Sequence, residues 1–434
     1  MTHRLLSLHH GAGRMALLAL GLLGLPACDD GGDTGPRPPP VTLPDEPAPT
    51  YGAGDFTDAQ RGIALDEDDF AVLTPNGAAG IGVNELGSSF TRLVVNRPYV
   101  DWRASICADP DDAALYQPKA ITERLLERLQ AEKGVSFNDI AVNVDLLSPG
   151  RRDLVFVCYG DDKPRFDVPA HRQAITQAFL DLSDVPGVKA ITVGLEMNRY
   201  YHLLTDTGRP LVDDYSNFIT LYRAVYKAIK ARHPDIQVGP GVSYAVFVRR
   251  TVPEIAEELG LDETGMEAYY RAWQRTIEPL LKDRAGATAD YIGISMIPFQ
   301  SEPPFDGVPR YVDASGNEEE AQDDIREHYR RLPVFAGGLP VALPQIDWAS
   351  GAGNANLKAR YLQSLKNALS GVNVAWAAWR RTSDLPATDD ASPCAKYTEA
   401  REPTLAYPDD YCTAGLVSES GRRREVLDEF LKAE

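Results

Sequence analysis

The chain contains 434 residues, of which 44% are hydrophobic and 25% are charged. This composition is typical of a folded globular protein and argues against a largely disordered one. Aspartate and glutamate together number 63 against 44 lysines and arginines, which gives a formal net charge of −19. Because binding to nucleic-acid phosphates requires clustered cations, this acidic balance argues against a nucleic-acid partner.

Residues 1–27 have the pattern of a bacterial signal peptide. Two arginines precede an apolar run that extends from Met15 to Leu25. A run of this length is too short to span a bilayer, which takes about 20 apolar residues, but it suits the apolar core of a secretory signal. The following Pro26-Ala27-Cys28 resembles a lipobox, which predicts a lipid anchor on Cys28 in the bacterial cell envelope, outside the cytoplasm. The alternative is an ordinary secretory signal with an incidental cysteine.

Residues 28–50 begin with the cysteine expected to carry the lipid and continue with seven prolines between positions 29 and 50. This composition favours an extended, polyproline-like tether that buries no surface, so we predict a disordered linker. Residues 51–434 show no repeat and no low-complexity break. We interpret them as one domain.

Four cysteines remain in the predicted domain, an even number that indicates two disulfides in an exported protein. Three pairings are possible. We favour Cys394–Cys412, which closes a short loop, together with Cys107–Cys158. Four free thiols are the less favoured alternative outside the cytoplasm.

Short apolar runs alternate with segments of helical periodicity along the predicted domain. The helical spacing is clearest in Lys119–Lys133, Asp214–Arg232 and Asn354–Ser370. Alternation of this kind predicts a parallel sheet, and eight units predict a single (β/α)8 TIM barrel of the α/β class. An open doubly wound sheet is the alternative, but we find no G-x-G-x-x-G nucleotide turn after a strand. The eight runs are Gly80–Val83, which could instead be a lead-in turn, Thr91–Val95, Ile140–Leu146, Ala190–Gly194, Gln237–Val242, Tyr291–Ile297, Val341–Leu343 and Val372–Ala378.

The active site of a TIM barrel lies at the C-terminal ends of its strands, so the residues that end or follow each run are the candidate site residues. We expect no cofactor and no metal, because the four histidines beyond the signal peptide form neither an H-E-x-x-H motif nor a close pair. The candidates for substrate contact at the strand ends are Glu85, Asn143, Asp145, Asn198, Tyr244, Phe299, Trp379 and Arg380.

Several of these strand ends resemble the retaining (β/α)8 glycoside hydrolase clan, and most closely its endo-β-1,4-galactanases. The matching residues are Gly194 and Glu196 after the fourth run, Ser295, Pro298 and Phe299 after the sixth, Trp348 after the seventh, and Trp376 in the eighth. The resemblance implies that Glu196 is the acid/base and that position 345, three residues before Trp348, is the nucleophile. It also implies that Trp348 and Trp376 line a sugar site.

Gln345 departs from the pattern of this family, because the nucleophile of a retaining glycosidase is a carboxylate. An amide carries no charge and is a very poor nucleophile, although it both donates and accepts hydrogen bonds. We therefore expect a catalytically impaired relative that binds a glycan or polysaccharide. Leu195 is a second departure, since it replaces an asparagine that contacts the sugar in the family.

An active glycoside hydrolase remains an alternative. Asp347 or Glu85 could act as a relocated carboxylate, and Glu196 with Asp145 could form an inverting pair. Gln345 could instead orient the acetamido group of a substrate that assists its own hydrolysis.

A structural or interaction lipoprotein with a filled barrel is the remaining alternative. Glu196 would then be a strand-end acid paired with Arg97 or Arg380. The tryptophans near the last two strands would be barrel core rather than a surface on which sugars stack.

Overall fold

Eight parallel strands, numbered β1 to β8, close into a barrel in the computed structural model of the protein. Each strand pairs with the barrel strands before and after it in the chain, and β8 pairs with β1 to complete the circle. This topology confirms the predicted (β/α)8 TIM barrel. The strands are β1 Arg61–Ala64, β2 Arg92–Asn96, β3 Ile140–Val144, β4 Val188–Val193, β5 Gln237–Ser243, β6 Ile292–Met296, β7 Val341–Ile346 and β8 Val374–Trp379.

The structure describes residues 41–48, 56–66, 68–75, 80–96, 117–147, 154, 165–203, 212–297, 329–347, 356–384, 413 and 415–432. Phe299, Trp348 and all five cysteines lie outside these residues. The predictions about the lipid on Cys28 and about both disulfides therefore stay predictions.

Helices connect the barrel strands and cover their outer faces. None of the helices in the described ranges is both long and apolar enough to cross a membrane. The helices are α1 Val83–Ser89, α2 Pro118–Arg128, α3 Pro169–Ser183, α4 Val212–Arg232, α5 Tyr244–Val246, α6 Val252–Leu259, α7 Met266–Thr276, α8 Glu278–Leu281, α9 Leu332–Phe335, α10 Asn356–Ala368 and α11 Glu425–Leu431.

The first barrel strand differs from the one that the sequence predicts. Arg61–Ala64 forms β1, whereas the predicted run Gly80–Val83 contributes only Ile81 and Gly82 to a separate two-stranded sheet. The sequence of β1 contains a charge, a glycine and a single β-branched residue, so its apolar signal is weak. The other seven predicted runs overlap β2 to β8.

Side chains alternate between the outer layer under the helices and the inside of the barrel. The interior core combines two large aromatic residues, Tyr291 and Trp376, with small residues of the neighbouring strands. Gly239 of β5 is one of the positions that make this possible, because a Cβ there would lie 2.8 Å from the Tyr291 ring. The barrel interior is therefore packed, as in other TIM barrels.

The end of the predicted linker contacts the barrel. The Glu46 carboxylate accepts hydrogen bonds from Arg331 at 2.7 and 3.1 Å and forms an ion pair with Arg330 at 2.9 Å. The Arg331 guanidinium is itself positioned over the Tyr269 ring, 5.3 Å from its centroid.

Asp69 joins the segments that follow β1 and β8. Its carboxylate accepts hydrogen bonds from the backbone N–H and the hydroxyl of Ser383 at 2.8 and 2.6 Å. Although it lies in an acidic stretch of the sequence, Asp69 is only 3% exposed. Burial and the neighbouring Asp66 raise the pKa of Asp69 to about 8, although Arg381 and Ser383 act to lower it.

Asp69→Asn is expected to change how stability depends on pH. Since the pKa of Asp69 rises from 3.8 to about 8 on folding, the protonated folded state is favoured at low pH. This contribution is lost as the pH rises from about 4 to 8, at up to about 1 kcal/mol per pH unit. The neutral amide should remove that slope from the unfolding free energy measured in urea between pH 4 and 9.

The exposed carboxylate of Asp45 provides the control. Asp45→Asn should keep the wild-type slope. An Asp69→Asn protein that also keeps the wild-type slope would show that Asp69 does not titrate in this window.

Candidate functional site

The C-terminal ends of β4, β7 and β8 carry the polar residues that the sequence nominates for chemistry. Glu196 follows β4 by three residues, Gln345 lies in β7, and Asp347 and Arg380 directly follow β7 and β8. Because the strands are parallel and the barrel is closed, all four residues lie at the same end of the barrel. None is more than 2% exposed.

Glu196 has an unusual backbone conformation, with φ of 55° and ψ of 31°. It is the one non-glycine residue with a positive φ among the residues that the structure describes. Such a conformation is strained for a residue with a side chain, and strain of this kind is concentrated at functional sites. The turn at Glu196 leads the chain directly from β4 into the 3-10 helix Met197–His202.

An arginine from the next turn of chain holds the Glu196 carboxylate. Arg199 Nε donates to Glu196 Oε2 at 3.0 Å, and the two side chains are only 4% and 1% exposed. A neighbouring guanidinium stabilises the ionised carboxylate, whereas a general acid must carry a proton when the leaving group departs. Of the two partners expected for a strand-end acid, Arg380 pairs with Asp347 and Arg97 lies outside the described residues.

The predicted substrate residues Asn198 and Tyr244 are engaged inside the protein. The Asn198 amide donates to the Ser243 carbonyl at 2.8 Å and accepts from the Ser243 N–H at 2.7 Å, which ties the 3-10 helix to the end of β5. Tyr244 is 1% exposed and packs edge-to-face against Phe335, with 5.1 Å between ring centroids. Both residues therefore support the architecture of the barrel end.

Gln345 has one polar atom with a partner and one without. Its Oε1 accepts a long hydrogen bond of 3.4 Å from the Ser295 hydroxyl on β6. Its Nε2 is buried and has no hydrogen-bond partner in the described part of the chain. Buried polar groups are nearly always satisfied in folded proteins, so a buried donor without a partner is unusual.

Asp347, the first candidate for a relocated nucleophile, forms an ion pair with Arg380. Both side chains are at most 1% exposed. Burial raises the pKa of Asp347, while Arg380, Lys358 and Arg381 act to lower it. The carboxylate is therefore committed to a cation next to it in the protein interior, where an unpaired charge would be strongly unfavourable.

Glu85, the second candidate for a relocated nucleophile, does not join the residues at the strand ends. It lies on α1 and accepts two hydrogen bonds from Arg423, at 2.8 and 3.0 Å. The prediction placed Glu85 after the first barrel strand. Because that strand is Arg61–Ala64, the expected position of Glu85 at the end of a barrel strand is wrong.

The two polar residues predicted at the end of the third run are both buried. Asn143 lies within β3, where its amide donates to Asn96 and accepts from Thr192. Asp145 follows β3, and one of its carboxylate oxygens accepts from the Leu147 N–H at 3.1 Å. The amide of Asn143 is thus used inside the barrel.

The two tryptophans of β8 face opposite sides of the strand. Trp376 points into the barrel, where its ring meets Tyr291 edge-on at 6.3 Å and Arg92 lies 5.5 Å from its centroid. Trp379 belongs to the outer core between strands and helices. Both are at most 1% exposed, so neither presents an open face on which a sugar could stack.

Two features near Glu196 were missed by the sequence analysis. Arg199 could have been found from its spacing of three residues from Glu196, which suits an ion pair within a helical turn. His202 hydrogen bonds to Glu254 at 2.9 Å and to Thr251 at 2.8 Å, contacts between distant segments for which the sequence gives no signal. Thr251 is completely buried, so this cluster offers no accessible hydroxyl nucleophile.

Comparisons with known proteins find similarity in structure alone. No protein-family model and no curated protein matches the sequence. An exo-β-1,4-mannosidase, Op5Man5 from Opitutaceae bacterium strain TAV5, superimposes with a TM-score of 0.50 at 15% identity, over 90% of this chain and 61% of the mannosidase. GH5_18 from Bifidobacterium longum subsp. longum ATCC 55813 gives 0.48 at 13% identity, over 86% and 78%. The Ignisphaera aggregans GH53 catalytic domain gives 0.44 at 13% identity, over 90% and 99%.

This chain spans less than two thirds of the mannosidase. A superposition at 15% identity shows a shared fold and not a shared activity. At a TM-score of 0.50, the superposition on the mannosidase shows that the two proteins share a barrel fold. The protein has the fold of the retaining (β/α)8 glycoside hydrolases.

Proposed function

We propose that the protein is a catalytically impaired glycosidase-like barrel that binds a glycan at the C-terminal end of its strands. The observation that carries the proposal is Gln345, a buried amide on β7 where the resembling enzymes have a nucleophilic carboxylate. An amide cannot attack an anomeric carbon, but it can hydrogen bond to sugar hydroxyls as donor and acceptor.

Three of the four carboxylates considered for hydrolysis have cationic partners. Retaining hydrolysis needs one ionised and one protonated carboxyl group about 5–5.5 Å apart. Glu196 is paired with Arg199, Asp347 with Arg380, and Glu85 with Arg423. A neighbouring guanidinium favours the ionised form of a carboxylate, although burial still raises the pKa of Asp347.

The support for glycan binding is the unsatisfied Nε2 of Gln345. Placing a sugar hydroxyl against it would remove the penalty of a buried donor without a partner. The exo-β-1,4-mannosidase that shares the fold makes β-1,4-linked mannose oligosaccharides a reasonable first set of probes. Other β-linked oligosaccharides belong in the same screen.

A structural or interaction protein is the second candidate, and the burial of the strand ends favours it. Glu196, Gln345 and Asp347 are each at most 1% exposed. At this exposure, none of the three side chains offers a surface to a ligand. Binding measurements separate this candidate from the first, since a filled barrel would bind no oligosaccharide.

We also propose that the barrel is held at the bacterial cell envelope by a lipid on Cys28, outside the cytoplasm. The support is the apolar run Met15–Leu25 followed by a lipobox-like sequence. Disulfides Cys107–Cys158 and Cys394–Cys412 belong to the same proposal. The partners are then a glycan and, through the anchor, the membrane.

Gln345→Ala is expected to weaken oligosaccharide binding by roughly tenfold, since about 1.4 kcal/mol is lost with one buried hydrogen bond. The measurement is calorimetry with the purified full chain and the oligosaccharide that binds best in the screen. Gln363→Ala, an exposed glutamine on α10, should bind as the wild type does. Equal affinities for all three proteins would contradict a role for Gln345, and no binding by any of them would favour the filled barrel.

Gln345→Glu is expected to give slow but detectable hydrolysis of the bound oligosaccharide with retention of configuration, because it supplies the missing nucleophile. Adding Glu196→Gln should abolish that gain. The readout is reducing-sugar release, with the anomer identified by NMR. Hydrolysis by the wild-type protein that is lost in Glu196→Gln would instead establish the alternative, an active hydrolase with a relocated nucleophile or substrate assistance.

Cys28→Ser is expected to prevent membrane attachment. In a bacterial host fed labelled fatty acid, the wild-type chain should carry label and partition into detergent, whereas Cys28→Ser should do neither. Label retained by the Cys28→Ser chain would place the lipid elsewhere, and an unlabelled wild-type chain would favour the ordinary secretory signal.

A further inference from the structure

Strand β7 contains one more residue than its neighbours over the stretch that carries Gln345. Leu343 and Ile346, three residues apart, pair with Ala377 and Trp379 of β8, which are two apart. Against β6, Ala342 and Gln345 are likewise three residues apart and pair with Gly293 and Ser295, which are two apart. The extra residue therefore belongs to β7. This is a β-bulge, and Pro344 lies within it. Proline suits the position because it lacks the N–H that a regular ladder needs.

The bulge changes which side chains of β7 face the barrel interior. Ala342 belongs to the interior core, and Ile346 to the outer core. Without an inserted residue, strict alternation would put residues 342, 344 and 346 on the same face. The bulge places Ile346 outside and lets Gln345 reach Ser295 of β6.

A series of hydrogen-bonded side chains, all buried except the half-buried Asn96, crosses the barrel interior and ends on this bulge. Asn96 Nδ2 donates to the Pro344 carbonyl at 3.1 Å, and Asn143 Nδ2 donates to Asn96 Oδ1 at 2.6 Å. Thr192 Oγ1 lies 2.5 Å from Asn143 Oδ1 and 2.8 Å from the Tyr291 hydroxyl. The series thus connects β2, β3 and β4 with the residue before β6 and with β7.

The direction of every hydrogen bond in this series of side chains follows from its last acceptor, the Pro344 carbonyl. A carbonyl only accepts, so Asn96 must present its NH2 group to Pro344 and its oxygen to Asn143. Asn143 then donates to Asn96 and accepts from the Thr192 hydroxyl. The Thr192 oxygen is left to accept from Tyr291, and the order from donor to acceptor is Tyr291, Thr192, Asn143, Asn96 and Pro344.

We propose that Asn96, Asn143, Thr192 and Tyr291 are positioning residues that hold the Pro344 bulge and thereby aim the Gln345 amide. The peptide group between Pro344 and Gln345 is planar, so holding its carbonyl also holds the Gln345 backbone from which the side chain projects. The side-chain amide then starts from a fixed position next to Ser295. These four residues, which we call the relay, act from across the barrel. None of them needs to touch a ligand. The inference rests on the proposed function in one respect, the use of Gln345 as the amide that contacts the ligand.

The relay can be tested on the free protein by NMR, with the full chain labelled with 15N-glutamine. The side-chain amide signal of Gln345 is identified by its absence in Gln345→Glu. Thr192→Val removes both relay contacts of residue 192 at nearly constant volume, and Asn96→Ala removes the contact to Pro344. Both substitutions should move the Gln345 signal by more than its linewidth.

Tyr291→Phe and Tyr222→Phe form a matched pair of conservative variants. Each removes one hydroxyl from a tyrosine that is at most 1% exposed, and Tyr222 donates to the Thr288 carbonyl outside the relay. Tyr291→Phe should move the Gln345 signal in the same direction as Thr192→Val but by less, and Tyr222→Phe should leave it in place.

The proposal is overturned if the relay variants fold and the Gln345 signal stays where it is in the wild type. It is equally overturned if Tyr222→Phe moves the signal as far as Tyr291→Phe does. Should Asn96→Ala and Thr192→Val not fold, the two tyrosine variants give the answer alone. Because no sugar is added, the outcome does not depend on whether the barrel binds a glycan.

Discussion

The parallel pairing of β1 with β8 is the constraint on which the rest of the structure depends. Ile63 of β1 pairs with Trp379 of β8 on one side and with Leu93 of β2 on the other. Gly62 lets the strands approach, because a Cβ there would lie 2.7 Å from the Val94 side chain. Closing the circle in this way brings the ends of β4, β7 and β8 to one end of a single barrel, and a site can be built from distant parts of the chain.

Charge is balanced locally at that end of the barrel. Glu196 and Asp347 are buried, and each has an arginine in contact. Pairing limits the desolvation penalty of an interior carboxylate and ties each of these two side chains to a fixed neighbour. Gln345 needs no counter-ion because it is neutral. Its amide nitrogen is instead left without a partner in the described part of the chain.

Most of the fold could be predicted from the sequence, because β2 to β8 are short runs rich in β-branched and apolar residues that alternate with helical periodicity. β1 could not, since Arg61 interrupts its apolar pattern. The guanidinium of Arg61 is buried against the carbonyls of Phe56 and Leu431, one of them some 370 residues away. Contacts of that range leave no local trace in a sequence.

The candidate site was predictable only in part, because chain order places the strand-end residues but does not reveal most of their contacts. Glu196, Gln345, Asp347 and Arg380 follow from their order along the chain, since strand ends of a barrel converge. Of the ion pairs, the spacing of Arg199 from Glu196 is a local signal, whereas the pairing of Asp347 with Arg380 has none. The expected sugar platform at Trp376 faces Tyr291 in the barrel core instead, because β8 presents residue 376 inward at a level where the barrel is filled.

By itself the sequence determined the strand and helix alternation, the amide at position 345 and the identity of each carboxylate, because these are properties of single residues and of local periodicity. Only the tertiary structure decided that Arg380 pairs with Asp347 and Arg423 with Glu85, that Pro344 lies in a bulge, and that Asn143 is committed to Asn96 and Thr192. Those outcomes depend on distances between segments far apart in the chain, and such distances are fixed only when the barrel closes.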